Sequence, residues 1–246
     1  MATYAVILPA AGKSSRFHDK HYKKPFIQLG ERAVWLHAAE KFLNRDDVKQ
    51  VLVIISAEDR EDFHMKFGAN VAIMGIDVVE GGAERSDSVR NALAHVRDDI
   101  DFVAVHDAAR PCIANEWIDA VFDAAKTTGA AILGIPVSST LKQVAADKTI
   151  EATVPRANLW EAQTPQVFRR DWLVAAYAKL GREGATDDAE LVQRLGHRVK
   201  VVLGSPINLK ITTKDDLRLA TQALKALPKP KLQGPAHPFA DDDMWR

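Results

Sequence analysis

Short apolar runs alternate with stretches of helical period through most of the chain. "TYAVILPAAG" at residues 3–12 predicts a strand that ends in small residues, and "AVWLHAAEKFLNRDD" beyond a polar loop predicts an amphipathic helix. The strand "VKQVLVIIS", the helix "AEDREDFHMKFG" and the apolar stretch "NVAIMGIDVVEGG" follow. A helix "SDSVRNALAHVRDD" then leads to "DFVAVHDAARP", and a helix "NEWIDAVFDAAKTTG" leads to "AAILGIPV". Apolar strands alternating with helices predict an α/β fold with a mostly parallel sheet covered on both faces.

The alternation breaks at "SSTLKQVAADKTIEATVPRANLW", which lacks a helical period, is rich in Thr and Val, and carries the turn-like "ADKT" at its middle. It reads as a β-hairpin excursion over about residues 137–159. Helices "RRDWLVAAYAKL" and "TDDAELVQRLG", a strand "RVKVVLG" and a helix opened by "TTKDDLRLATQALKAL" complete the domain, residues 1–227. Thr213 and Asp216 have the spacing of a capping box. Residues 228–246, Pro-rich and ending acidic, read as a mobile tail.

Composition narrows the class. Of 246 residues, 47% are hydrophobic and 27% charged, the balance of a soluble globular chain. Lys plus Arg and Asp plus Glu both number 33, so no net charge steers the molecule to nucleic acid or an anionic membrane. Cys112 is the single cysteine, which excludes an intrachain disulfide and favours a cytoplasmic setting. The apolar runs fall far short of the roughly 18 residues of a membrane span.

"ILPAAGKSSRF", residues 7–17, ends like a phosphate-binding P-loop. That motif, however, needs a glycine where this chain has Ile7, and the dinucleotide fingerprint fails for want of further glycines. What remains is a strand running into Ala10, Ala11 and Gly12, whose small side chains let backbone N–H groups approach a phosphate. Arg16 and Lys24 in the basic loop that follows favour a triphosphate.

Further stretches point the same way. "PAAGKSSRF", "KKPFIQLG", "GGAERSDSV", "VHDAARP", "PVSST", "TVPRANLW", "TPQVF" and "NLKITTKDDL" occur in one family's order. With them the chain resembles the 2-C-methyl-D-erythritol 4-phosphate cytidylyltransferases of non-mevalonate isoprenoid synthesis, over about residues 3–225. The resemblance implies a Rossmann-like sheet with a hairpin arm that forms a homodimer. It also implies transfer of CMP from CTP to a polyol phosphate with Mg²⁺.

By motif, Arg16 and Lys24 match the family's transition-state stabilisers. Ala10, Ala11, Gly12, Gly81, Gly82 and Ser88 match its nucleotide site, although Ser88 also reads as a helix residue with Ser86 as its N-cap. Arg156, Lys210, Asp107, Arg110, Thr140 and Thr164 match positions that hold the acceptor. Arg110 is expected to reach the acceptor phosphate, in one version across the dimer. Asp107, at a strand end, suits either Mg²⁺, a substrate hydroxyl or a loop cap.

Other residues read as structural. His106 and Cys112 belong to the scaffold, Trp160 packs at the base of the arm, and Arg85 is free to pair with a surface acid. Thr186, Asp187 and Asp188 suit a helix cap better than a metal, with the threonine open to substrate.

The chain departs from the family at Ser14, where a second loop glycine is usual, and at Ala83, where some members carry an acid. The run from Arg16 to Lys24 is also one residue longer than usual, so Lys20 or Lys23 could take the lysine role. Two rival readings remain: a ribitol-5-phosphate cytidylyltransferase, and a catalytically silent nucleotide-binding module. The second would be expected to have lost Arg16, Lys24 or Asp107.

Overall fold

The computed structural model describes residues 1–12, 24–181 and 185–228, with the backbone alone at Lys24. The N-terminal part contains β1 (Tyr4–Pro9), β2 (Gln28–Leu29), β3 (Arg32–Ala33), α1 (Val34–Leu43), β4 (Val48–Ile55), α2 (Arg60–Met74), β5 (Asp77–Glu80) and α3 (Arg85–Leu93). Next come β6 (Phe102–Val105), α4 (Asn115–Thr128), β7 (Ala130–Pro136), β8 (Leu141–Val144) and β9 (Ile150–Val154). The chain continues through β10 (Trp160–Arg169), α5 (Arg170–Ala178), α6 (Asp188–Arg194), β11 (Lys200–Leu203) and α7 (Lys214–Lys225).

The central sheet has seven strands in the order β11-β7-β10-β6-β1-β4-β5. β1 runs parallel to both β4 and β6, whereas β10 lies antiparallel to β6 and β7. The sheet is therefore mostly parallel and covered on both faces, as the apolar pattern predicts. β1 shows why its sequence is a continuous apolar run. Tyr4, Val6 and Leu8 enter one core with Trp35, Phe42, Phe63 and Phe122, while Ala5 and Ile7 enter the opposite core with Val89, Leu93 and Leu173. A strand buried on both sides has no polar positions to alternate with.

The strand order also fixes where a ligand can sit. From β1 the chain builds outward through β4 to β5, then returns to place β6 on the other side of β1. Such a reversal opens a crevice at the carboxyl ends of the strands. Ala10 follows β1 there, Gly81 follows β5, and His106 and Asp107 follow β6.

Several boundaries differ from the sequence reading. α2 passes through Gly68 and ends at Met74, so "NVAIM" is helical and the strand shrinks to Asp77–Glu80. The stop is Gly75, whose φ of 62° supplies the left-handed C-cap, not Gly68. β10 went unseen in the pattern because Gln163, Thr164, Pro165 and Gln166 interrupt its apolar run, yet Gln163, Thr164 and Gln166 are buried. The hairpin lies where expected: β8 and β9 form a separate antiparallel two-stranded sheet. Trp160 lies at the arm's base beside Gly134 but stays 45% exposed, so the arm's own chain does not cover it.

A satellite cluster of Leu29, Val34, Cys112, Ile211 and Ala220 seats α7 and the loop before it. The capping box at Thr213 and Asp216 opens α7 as predicted. Among the described residues no helix is long and apolar enough to cross a membrane.

Candidate active site

One side of the crevice is built from backbone. The Ala10 N–H donates to the Ile54 carbonyl at 2.8 Å and the Gly81 N–H to the Ile55 carbonyl at 2.8 Å, extending the sheet bonds past the strand ends. A Cβ at Gly81 would stand 2.8 Å from Ala11 Cβ and 2.9 Å from Ser88 Oγ. At Gly82 it would stand 2.4 Å from Asp87 Cβ. Ala11, Gly81, Gly82 and Ser88 are thus brought together, with Gly12 exposed beside them.

Ser88 is buried, and its Oγ accepts from the Gly82 N–H at 3.0 Å while donating to the Glu84 carbonyl at 3.0 Å. Its hydroxyl holds the glycine turn against α3. The N-cap of α3 is Glu84, whose N–H donates to Asp87 Oδ2 at 3.3 Å, and Ser86 is already the second residue of the helix. The earlier start follows from Asp87 being placed to reach back to Glu84.

The other side is built from charge. Asp107 is nearly buried, and its carboxylate meets Lys210 Nζ at 2.9 Å and Arg110 Nε at 3.4 Å. Its N–H donates to Thr164 Oγ1 at 3.0 Å. Burial alone would push the Asp107 carboxyl up, but Lys210, Arg85 and Arg110 together pull it down to about 2. Asp107, Arg110, Thr164 and Lys210 therefore form one cluster.

Arg110 sits inside that cluster, with Nη1 donating to the Asn208 carbonyl at 2.7 Å. Lys210 differs: its side chain is 45% exposed, so its ammonium pairs with Asp107 and still faces solvent. The loop carrying it is pinned by the Ile211 N–H, which donates to the Ala109 carbonyl at 2.8 Å.

Asn208 and Gln163 escaped the sequence reading. Fully buried Asn208 donates from Nδ2 to the Thr164 carbonyl at 2.9 Å, and Gln163 Nε2 donates to the Ser205 carbonyl at 2.9 Å. The usable signal was an asparagine set between Ile207 and Leu209, a polar residue in an apolar context. Arg85 does pair with an acid, but a buried one, Asp188, at 2.7 Å. Asp187 caps α6, accepting from the Glu190 N–H at 2.9 Å.

The remaining expected residues stand apart from the cluster. Thr140 and Arg156 are exposed on the arm, and among the described residues no hydrogen bond or ion pair joins either side chain to Asp107 or Lys210. Arg16 lies outside the described residues. The Lys24 backbone opens a short 3-10 turn, Lys24–Phe26, which is anchored where the Phe26 ring packs on Phe63 at 5.3 Å.

Among the described residues no group of three His, Cys, Asp or Glu gathers to hold a metal ion. Asp107, already shared between two cations, is a single carboxylate. These residues do not fit a resident Mg²⁺ site built by the protein.

His106 is fully buried, with Nε2 at 3.0 Å from the Arg110 carbonyl and Nδ1 at 3.2 Å from Thr164 Oγ1. Burial lowers its pKa from 6.5 to about 4. The unfolded chain takes up this proton near pH 6.5 and the folded chain only near 4, so stability is complete above 6.5 and falls as pH drops toward 4. The loss amounts to about 3 kcal/mol. His106→Gln, which keeps a polar side chain, is expected to flatten this part of the pH profile in urea unfolding. An acid sensitivity equal to the wild type's would contradict it.

The model of the IspD family, 2-C-methyl-D-erythritol 4-phosphate cytidylyltransferase, matches residues 4–226. The chain is 42% identical over 234 residues to the 2-C-methyl-D-erythritol 4-phosphate cytidylyltransferase of Rhodopirellula baltica, spanning 91% of this chain and 95% of that one. To the enzyme of the same name from Bacillus velezensis it is 38% identical over 226 residues, spanning 91% and 96%. The crystal structure of the Thermus thermophilus cytidylyltransferase matches with a TM-score of 0.74 at 32% identity, over 92% of this chain and 100% of that one. Fold, crevice and sequence agree that this chain belongs to the 2-C-methyl-D-erythritol 4-phosphate cytidylyltransferase family.

Proposed function

We propose that the chain transfers CMP from CTP to 2-C-methyl-D-erythritol 4-phosphate, giving 4-diphosphocytidyl-2-C-methyl-D-erythritol and pyrophosphate in isoprenoid biosynthesis. The observation that carries this reading is the pairing of a close-approach glycine turn with a cationic cluster across one strand-end crevice, in a chain of this family. The reaction forms a bond from an acceptor phosphate oxygen to the α-phosphorus of CTP and breaks the bond to the β-phosphate oxygen. No protein nucleophile takes part; positioning and charge stabilisation do the catalysis.

In this reading CTP lies over Ala10, Ala11 and Gly12, with its base and ribose against the Gly81–Gly82 turn that Ser88 holds. This reading gives Arg16 and Lys24 the role of stabilising the phosphates, Arg as a fork and Lys as a point charge. Lys210, half-exposed, keeps one donor on Asp107 and turns the others toward the acceptor phosphate, while Arg110 and Thr164 hold Asp107 in place. Mg²⁺, entering with the nucleotide, would supply charge neutralisation at the phosphates. Cys112, reduced and buried, is at home in the cytoplasm, where this reading places the enzyme.

The arm completes the site from a second copy of the chain. Val144, Ile150, Leu159 and Trp160 stay exposed on or beside it, and among the described residues β8 and β9 pair only with each other. A homodimer would cover these residues and carry Thr140 and Arg156 to the other subunit's Lys210.

Two measurements test this. Pyrophosphate release from CTP and Mg²⁺ is expected with methylerythritol 4-phosphate and not with ribitol 5-phosphate; preference for ribitol 5-phosphate, or silence with both, contradicts the assignment. Mixing inactive Arg156→Ala and Asp107→Asn chains should restore up to about a quarter of the activity, because half of the dimers are mixed and each holds one intact site. No recovery on mixing would place both residues in one subunit's site.

A further inference from the structure

A charged pair behind the glycine turn, with a buried carboxylate and a partly exposed guanidinium, takes no part in the chemistry described so far. Asp188, the first residue of α6, is fully buried. One carboxylate oxygen accepts from Arg85 Nη2 at 2.7 Å and the other from the Tyr177 hydroxyl. Arg85 is the first residue of α3, directly beyond the turn that presents Gly81 and Gly82. Its guanidinium also lies in the field of Asp107.

The far end of the pair is fixed to the sheet. Gln166 of β10 donates to Asp187 Oδ2 at 2.9 Å and accepts from the Ala189 N–H at 3.1 Å. Two residues earlier on β10, Thr164 accepts from the Asp107 N–H. Contacts and chain neighbours therefore run from the glycine turn through Ser88, α3, Arg85 and Asp188, by Asp187 and Ala189 beside it to Gln166, and along β10 to Thr164 and Asp107. An ion pair with one buried partner is weak evidence for stability, so what the pair offers is geometry.

We propose that Arg85 and Asp188 are a positioning pair for nucleotide recognition, holding the start of α3 and with it the Gly81–Gly82 turn at the crevice without touching the reacting phosphates. This rests on the reading that CTP binds at that turn.

The test uses the full chain, with CTP affinity by calorimetry and steady-state kinetics varying each substrate in turn. Asp188→Asn and Arg85→Met are expected to weaken CTP binding and raise its KM by about tenfold. The KM for methylerythritol phosphate should stay within about twofold, and Arg85→Lys should recover part of the loss. Val121→Ala, in the opposite core under α4, lowers stability and should leave both KM values unchanged.

Tyr177→Phe keeps the ion pair and removes one hydrogen bond. It should raise the CTP KM by about threefold and decides the matter if the Asp188 variants do not fold. An unchanged CTP KM in folded variants overturns the pair's role, as do two KM values that rise together. Wild-type protein that fails to bind CTP overturns the underlying reading as well.

Discussion

A buried carboxylate at the end of a central strand is the feature on which the site depends. Asp107 leaves β6 into the crevice, where an unpaired charge would be strongly unfavourable. Lys210 and Arg110 pair with it directly and Arg85 adds its field, which is why its carboxyl stays ionised despite burial. Each partner comes from a different segment: the loop before α7, the turn after β6, and the start of α3. One charge thereby gathers residues far apart in sequence, and the Thr164 hydroxyl on its N–H adds the antiparallel strand β10.

In the proposed function the same arrangement lets a neutral chain offer a site to anions. With 33 residues of each sign there is no global field to attract a triphosphate. Asp107 instead concentrates cations locally and neutralises only part of their charge. Lys210 remains half in solvent, so an incoming phosphate can take over donors without moving the loop. On the opposite wall, Ala11 packs against Gly81, next to Gly82, small residues that would let a ligand approach the main chain.

Much of this was legible in the residues. Continuous apolar strands gave the parallel sheet, since strands buried on both faces have no polar alternation to hide them. The small residues at Ala10 to Gly12 and the Asp at the end of "DFVAVHD" marked the crevice because strand ends at a reversal point are where ligands bind. β10 was obscured because its middle carries Gln163, Thr164 and Gln166, polar residues whose partners lie inside the fold. The Arg85–Asp188 pair lay beyond reach, since 103 residues separate them and no local period links them. Asn208 could have been singled out as a polar residue between Ile207 and Leu209, but its partners on β10 lie more than forty residues away in sequence.

The central claim is that Asp107 acts by holding Lys210 where the acceptor phosphate arrives. Steady-state kcat/KM for methylerythritol phosphate in Asp107→Asn, Lys210→Met and the double variant tests it most directly. If the two residues work as a unit, the double variant loses little more than Lys210→Met alone. Losses that multiply would mean that Asp107 and Lys210 act independently, and would contradict the account.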